Sequence, residues 1–414
     1  MWNCLIAQSG GPTSVINASL SGVIASAIDS PKIHTVYGAI NGIQGVLKHQ
    51  LINLTSIFAN EKGKLETLKT TPAMFLGSCR YKLSNIQEDE TEYNLIFDVF
   101  ARHKIKYFFY IGGNDSMDTV LKLSRYAKTH HKDVQIVGIP KTIDNDLFGT
   151  DHTPGFGSAA KFVATTMLEI SYDTYIYDLP SVTIVEIMGR NAGWLTASSA
   201  LARNTYNASP DLIYLPEVPF STYDFLNDLK CLQETKKNII VAVSEGIKDK
   251  DGHYISATNN PCSDAFGHAK LSGTGKTLEH IVSKSLKCKV RSIELNVLQR
   301  SAMHIASLTD IDEACSVGNK AVQYALDGLS GIMVTIIRTN NDPYTIEVDY
   351  VPIEKVANKE KNIPKDWIND AHNDVTHDLL DYMSPLIHGE PQIDYKNGLP
   401  VYLDIQHLHS DCKS

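Results

Sequence analysis

Residues 107–118 read Tyr-Phe-Phe-Tyr-Ile-Gly-Gly-Asn-Asp-Ser-Met-Asp, and residues 136–146 read Ile-Val-Gly-Ile-Pro-Lys-Thr-Ile-Asp-Asn-Asp. In each, an apolar run of strand type ends in a polar loop. The first loop carries paired glycines, Asn114 and Asp115. The second carries Lys141, Thr142, Asp144 and Asp146. Glycine lets a backbone approach phosphate closely. A lysine neutralises it, and carboxylates hold a hard cation such as Mg2+ or accept a proton. These are the components of phosphoryl transfer. Asp144 lies two residues beyond the Thr142 hydroxyl, so one can take a substrate proton while the other positions the acceptor oxygen. The bland alternative is an Asx-rich turn with no chemistry.

Other loops carry similar chemistry with similar alternatives. Ser9-Gly10-Gly11-Pro12-Thr13 lies between a predicted strand and a predicted helix. It is either a phosphate cradle at a helix N-terminus or a tight turn that needs glycine for geometry alone. Asp115 is either a ligand or an N-cap, and Asp118 is either functional or a solvated first-turn acid. In Glu186-Ile-Met188-Gly189-Arg190-Asn191, the glycine allows close approach and the arginine offers a planar donor fork; a surface arginine at a helix start is the alternative. Glu245, after the run at 239–243, is placed to meet sugar hydroxyls. Arg291 and Arg300 flank a β-like run and are candidate phosphate anchors.

The elements that must position these loops are legible in outline. Apolar runs of strand length recur at 4–8, 107–111, 134–139, 182–187, 239–243 and 332–337. Amphipathic helical stretches lie between many of them, at 14–28, 116–129, 159–170 and 273–286. This alternation predicts an α/β fold with mainly parallel sheets and helices on both faces. In such sheets ligands bind beyond the carboxyl ends of the strands. Residues 340–400 are richer in Pro, Asn and charge and read as a looser peripheral segment.

A length of 414 residues favours two domains. The formal net charge of −9 argues against a nucleic-acid partner and requires a local basic cluster for any anionic substrate. Seven cysteines without metal-ligand spacing fit a reducing cytoplasm. No basic n-region precedes the first apolar run, so no signal peptide is expected. No run approaches the roughly 20 apolar residues that cross a membrane, so no membrane partner is expected.

Two motifs mislead. Gly155-Phe-Gly157-Ser-Ala-Ala160 matches the dinucleotide fingerprint, which would make the protein a nicotinamide-dependent dehydrogenase. It follows Thr-Asp-His-Thr-Pro, a loop and not a strand. Gly275-Lys276-Thr277 imitates the end of a P-loop, but position 270, where the first glycine belongs, is Lys270.

Taken together and in order, these motifs resemble the phosphofructokinase family from Ser9 to about Leu329. The resemblance rests on the glycine turn at 9–11, Gly77-Ser-Cys-Arg80, Gly112 to Ser116, Pro140 to Asp146, Thr153-Pro-Gly-Phe-Gly157, Met188-Gly-Arg190, Glu245 and Leu298-Gln-Arg300. Family members that use ATP carry Gly-Gly-Asp-Gly-Ser and Pro-Gly-Thr-Ile-Asp-Asn-Asp. Asp115 and Lys141 resemble the pyrophosphate-dependent branch instead. A carboxylate where the ATP α-phosphate would sit repels it by about 4 kcal/mol at ~4 Å and an effective dielectric of ~20.

The resemblance implies two Rossmann-like, three-layer domains with the active site in the cleft between them. The phosphoryl-donor domain is expected at 1–155 plus about 299–350, and the sugar-phosphate domain at 156–298 plus about 351–414. It implies reversible transfer from diphosphate to the 1-hydroxyl of fructose 6-phosphate, with an ATP-dependent enzyme or a non-catalytic regulatory subunit as alternatives. It makes Asp144 the base, with Lys141, Asp115 and Thr142 also catalytic. Gly11, Arg80, Thr142, Asp144, Met188, Gly189, Arg190, Glu245, Arg291 and Arg300 would bind substrates, and Asn114, Asp115 and Asp146 would hold Mg2+. It also implies a cytoplasmic homo-oligomer, a dimer or tetramer. The sequence departs from the family at Asn114, where an aspartate is usual, at Val297, in place of His or Tyr, and at Ser181, in place of an arginine donated across subunits.

Overall fold

The computed structural model describes residues 1–256 and 273–405. The chain divides into two compact units. The first comprises Met1–Ser158, Arg300–Glu360 and the described residues from Gly389 on; the second comprises Ala159–Gln299 and Lys361–His388.

The first unit is built on a seven-stranded sheet. Its strands are β1 (Trp2–Gln8), β2 (Ile33–Ala39), β3 (Leu51–Asn53), β4 (Ile105–Gly112) and β5 (Gln135–Pro140). In the second unit follow β6 (Ser181–Ile187), β7 (Leu212–Tyr214), β8 (Asn238–Ser244) and β9 (Lys289–Glu294), before β10 (Ile332–Asn341) and β11 (Tyr344–Pro352) close the first sheet. The order in the first sheet is β11-β10-β5-β4-β1-β2-β3, with antiparallel pairing only at the two edges. Alternate residues of the inner strands enter different cores. Cys4, Ile6, Phe109 and Val137 pack with the helices Ile16–Asp29 and Leu308–Leu326. Leu5, Ala7, Phe108 and Ile136 pack with the helices Thr91–Arg102 and Asn114–Thr129. Burial on both faces explains why these strands read as unbroken apolar runs.

Two glycines bring the first pair of helices into backbone contact. A Cβ on Gly22 would lie 2.1 Å from the Cys315 carbonyl oxygen, and one on Gly318 would lie 2.2 Å from that of Ser19. From β1 the chain winds one way to β2 and the other way to β4 and β5. The topological switch point therefore lies between β1 and β4, where α/β sheets place their ligands.

The second unit holds a four-stranded, all-parallel sheet in the order β7-β8-β6-β9. Val182, Ile184, Val241 and Val243 pack with Phe225 and Leu229 of helix Thr222–Gln233 and Leu278 and Val282 of helix Thr274–Ser285. Thr183, Val185 and Ile187 face the other way and are equally buried.

Two expectations are corrected here. Residues 340–352 are not loose: they complete the β10–β11 hairpin that forms one edge of the first sheet. The segment 351–414 does not stay with one unit. β11 keeps 351–360 with the first, whereas Lys361 and Asn373 accept hydrogen bonds from Trp194 Nε1 (2.9 Å) and Ile213 N (2.8 Å) of the second. The chain then returns to the first unit, where Leu403 N donates to Thr71 Oγ1 at 3.0 Å.

Candidate active site

In the first unit, register brings three loops to one edge of the sheet. Gln8 pairs with Ile111, and Gly112 pairs with Pro140. The chain therefore leaves β1, β4 and β5 at adjacent points. Ser9 N donates to Ile111 O (2.9 Å), and Lys141 N donates to Gly112 O (3.0 Å), carrying the pairing one residue into each loop. The segment before Arg80 docks on the glycine turn: Ser78 Oγ donates to Gly10 O (2.7 Å) and Ser9 Oγ to Cys79 O (3.3 Å).

Lys141 is the centre of this edge. It is 2 % exposed, and its ammonium donates to the Gly11 carbonyl at 2.7 Å. Burial lowers its pKa to about 8; the charges of Asp144 and Asp146 pull it up and that of Arg300 pushes it down. Gly10 has φ +83°, and a Cβ there would lie 3.0 Å from the ammonium. Arg300 reaches the same turn, with Nη1 3.6 Å from where a Gly11 Cβ would be.

The loop after Lys141 is held on both sides. Thr142 Oγ1 accepts from Asp144 N (3.1 Å) and lies 3.4 Å from Asp144 Oδ2, an ST-turn that fixes the carboxylate beside the hydroxyl. Asn145 is fully buried at φ +53°, and its Oδ1 accepts from Thr153 N at 3.1 Å. Asp146 Oδ2 accepts from Asn114 Nδ2 at 2.9 Å. Burial, and then the charges of Asp144 and Glu360, push the Asp146 carboxyl up to about 7, against the pull of the Asn114 amide.

Helix Asn114–Thr129 settles the acids on its first turn. Its cap position is Gly113, so Asp115 is no N-cap; it lies exposed on the first turn. Asp118 is not a solvated acid, for it is buried against Lys122 (2.9 Å) and Asn358 (3.1 Å). Asn114 Oδ1 is buried and has no hydrogen-bond partner. An orphaned oxygen beside a carboxylate crowded by other acids suits a hard cation. The described residues contain one group of three acidic or imidazole side chains close enough to share an ion, Asp249, Asp251 and His253, on a turn apart from these loops in sequence.

The second unit assembles the remaining candidates at the ends of β6 and β8. Gly189 N donates to Glu245 Oε1 (3.5 Å), Met188 N to Gln299 Oε1 (3.3 Å) and Ser244 Oγ to Gly189 O. Gly246 lies against Arg190, where a Cβ would come within 1.9 Å of the carbonyl oxygen. Arg291 is not gathered with them. It projects from β9, where Thr183 Oγ1 (3.0 Å), Thr174 Oγ1 (2.8 Å) and Asp173 (2.7 Å) hold its guanidinium.

The dinucleotide reading of 155–160 fails on geometry. No strand precedes Gly155, and the N-terminus of helix Phe156–Tyr175 is taken by Asp310, whose oxygens accept from Gly155 N (2.9 Å) and Ser158 N (2.8 Å). A carboxylate there repels the pyrophosphate that the fingerprint would bind. Sequence reasoning missed Asp310, and it held Thr153 and Gln299 only as members of motifs, with no role of their own. Ser307-Leu-Thr-Asp310 has the spacing of a capping box, which marks a helix start but not the distant partner.

Beside Thr153 lies a buried ionic cluster. His152 Nε2 is 2.6 Å from Glu313 Oε2 and its Nδ1 is 2.8 Å from Asp151 Oδ1. Arg338 Nη2 donates to Asp151 (3.0 Å), and Tyr344 OH donates to Glu313 (2.7 Å). Burial alone would lower the His152 pKa; the charge of Glu313 and the hydrogen bonds to Asp151 and Glu313 outweigh it and raise the imidazole to about 9.

Known proteins resemble the chain over most of its length. The family profile described as Phosphofructokinase matches residues 3–325. A pyrophosphate–fructose 6-phosphate 1-phosphotransferase of Halomonas elongata is 41 % identical, covering 96 % of this chain and 94 % of its own. One from Xanthomonas campestris is 40 % identical, covering 98 % and 96 %. The crystal structure of pyrophosphate-dependent phosphofructokinase from Nitrosospira multiformis superposes with a TM-score of 0.87 at 38 % identity, over 97 % of this chain and 95 % of that one.

The histidine cluster yields a pH dependence. The folded pKa lies above the unfolded value of roughly 6.5, so the stabilisation is complete below that pH and is lost as pH rises through about 9. The full effect is at most ~3 kcal/mol. His152→Gln should lower the urea midpoint at pH 6 and flatten its decline between pH 6.5 and 9. Parallel decline in both proteins would exclude a charged His152 in the fold.

Proposed function

The chain belongs to the phosphofructokinase family, and we propose that it is a diphosphate-dependent fructose-6-phosphate 1-phosphotransferase acting reversibly. The observation that carries this reading is the buried ammonium of Lys141, held on Gly11 O beside Asp144 and Asp146. It supplies a desolvated cation at the edge to which we assign the terminal phosphates of a short donor. Asp115, exposed on the first turn of the helix, adds a carboxylate that opposes the third phosphate of ATP.

Asp144 is the base. Its carboxylate takes the proton of the sugar 1-hydroxyl as that oxygen bonds to the terminal phosphorus, and orthophosphate leaves. In reverse, the protonated Asp144 returns the proton. Thr142 Oγ1 keeps the carboxylate aimed, and Lys141 neutralises the leaving phosphate. Gly11 completes the diphosphate side, Arg80 bridges to the acceptor, and Arg300 serves the sugar phosphate. Met188, Gly189, Arg190 and Glu245 hold the sugar phosphate. Arg291, held on β9 by Thr174, Thr183 and Asp173, is the residue a second subunit would donate.

Mg2+ fits the orphaned Asn114 Oδ1 and the crowded Asp146; those two would hold it, with Asp115 on the same helix turn. When bound, it supplies neutralisation of diphosphate charge. Asparagine suits position 114 because its amide donates to Asp146, whereas a second carboxylate would repel it. We also assign the protein to the cytoplasm, in keeping with five free cysteines among the described residues, and to a homo-oligomer, in keeping with exposed Tyr172, Ile176 and Leu179.

A coupled assay offering diphosphate and ATP separately should show turnover with diphosphate and little with ATP; the reverse result would replace this reading with an ATP-dependent kinase. Asp144→Asn should lower kcat by about 10^2-fold or more, the scale of general-base loss, with KM nearly unchanged. An unchanged kcat would remove Asp144 as base. Asn114→Ala should weaken Mn2+ binding on the order of 10-fold in a titration with diphosphate present, while Mn2+ affinity equal to wild type would take position 114 out of the metal set.

A further inference from the structure

We propose that Asp310 is a positioning residue for the phosphoryl transfer: it clamps the strap of residues 153–158, whose backbone and Thr153 hydroxyl hold the Thr142–Asp144 loop in place. The inference rests on reading Asp144 as the base.

Three hydrogen bonds tie the strap to the loop. Thr142 N donates to Pro154 O (3.2 Å), and Thr153 Oγ1 donates to Thr142 O (2.9 Å). Thr153 N donates to Asn145 Oδ1 (3.1 Å), and Gly155 forms a parallel bridge with Thr142. Both peptide faces of Thr142, and the residue after Asp144, are thus fixed by the strap and not by the sheet. The fit is close. Gly155 has φ +111°, and a Cβ there would come within 2.9 Å of Thr13 Cγ2 and 3.3 Å of Thr142 O.

The strap has no strand of its own to hold it. What holds it is the start of helix Leu308–Leu326. Asp310 is 2 % exposed and uses one oxygen for Gly155 N (2.9 Å) and the other for Ser158 N (2.8 Å). Ser158 Oγ in turn accepts from Ser307 N at 3.2 Å, so the two helix starts cap each other. One turn further, Glu313 holds His152 at the other end of the strap.

An ordinary N-cap comes from the residue just before its helix. This one comes from 155 positions away, so it ties tertiary structure as well as closing a helix. Two acceptors are required, because two N–H groups converge on one side chain. Asparagine would accept one bond and turn its own N–H2 toward the second donor. A carboxylate is therefore specified, although none of its atoms touches the reacting groups.

The test uses the full chain, with wild-type turnover of diphosphate and fructose 6-phosphate measured in parallel. Asp310→Ala and Asp310→Asn should lower kcat on the order of 10- to 100-fold, the scale of a base displaced by about 1 Å. KM for diphosphate should change less than about threefold, the mark of a loss felt mainly in the transition state. Deuterium uptake in peptides covering 140–147 should rise. Val317→Ala is the control; it lies in the core on the same helix, and it should lower the melting temperature while keeping kcat. Asp310 variants that keep kcat within twofold, or lose no more activity than the control at equal melting temperature, would overturn the proposal. If Asp310→Ala does not fold, Thr153→Val removes only the bond to Thr142 O, and unchanged kcat there would overturn it equally. Absence of wild-type turnover would instead count against the functional reading, leaving the deuterium uptake to judge the clamp.

Discussion

The burial of one ammonium governs the arrangement of the first unit's loops. A desolvated Lys141 without compensation would cost several kcal/mol. Its compensation comes from two stretches: the Gly11 carbonyl in the turn after β1, and the charges of Asp144 and Asp146 in its own loop after β5. Each is reachable only if β1, β4 and β5 end level with one another. The pairings Gln8–Ile111 and Gly112–Pro140 supply that, and the bond from Lys141 N to Gly112 O carries it into the loop. Glycine at position 10, close against the ammonium, is the steric counterpart of the same demand. Register in the sheet, a charge at its edge and a turn without a side chain are one constraint met three ways.

A second tension follows from the first. Asp144 and Glu360 crowd Asp146, and together with burial they make its ionisation costly. The Asn114 amide relieves part of this by donating to Asp146, and its other end is left as a buried oxygen without a partner. A native protein tolerates such a group where function recovers the cost. The same side chain thus lowers repulsion among the acids and keeps an oxygen ready. In sequence, asparagine at this place showed only as a departure from the usual aspartate.

Much of this was legible before any coordinates, and the reasons are local. Strands buried on both faces announce themselves as apolar runs, so β1, β4, β5, β6, β8 and β10 could be read directly. β9 could be read only in part: Lys289-Val-Arg-Ser-Ile-Glu294 is a largely accessible edge strand, and the β-like run between Arg291 and Arg300 starts inside it and continues into the 3-10 turn Asn296–Arg300. β7 has only three residues. The loop motifs fixed residue types and order, because turns and chemistry are written within a few positions. Asp310 was invisible as a partner of Gly155, since a contact between residues 155 positions apart leaves no periodic trace. The division of the tail failed for a related reason. Nothing in the composition of 351–388 says that β11 belongs to one sheet while Lys361 and Asn373 bond to the other unit.

The chain's charge sharpens what the local arrangement must achieve. With a net charge of −9, the protein as a whole repels a polyanion. Surface lysines would do little about this, because screening confines exposed charges to about 10 Å at ~0.1 M salt. A cation sunk in a low-dielectric edge acts more strongly at short range. It also loses less entropy on binding, since the Gly11 carbonyl already holds it. The acids beside Lys141 appear to undo this, yet they do separate work. Asp144 must be a carboxylate to take a proton, and Asp146 must sit beside an unsatisfied oxygen to be of use to a metal. The edge can hold both signs only because its donors and acceptors are fixed by backbone from three strands, and charges that cannot move toward one another do not simply neutralise.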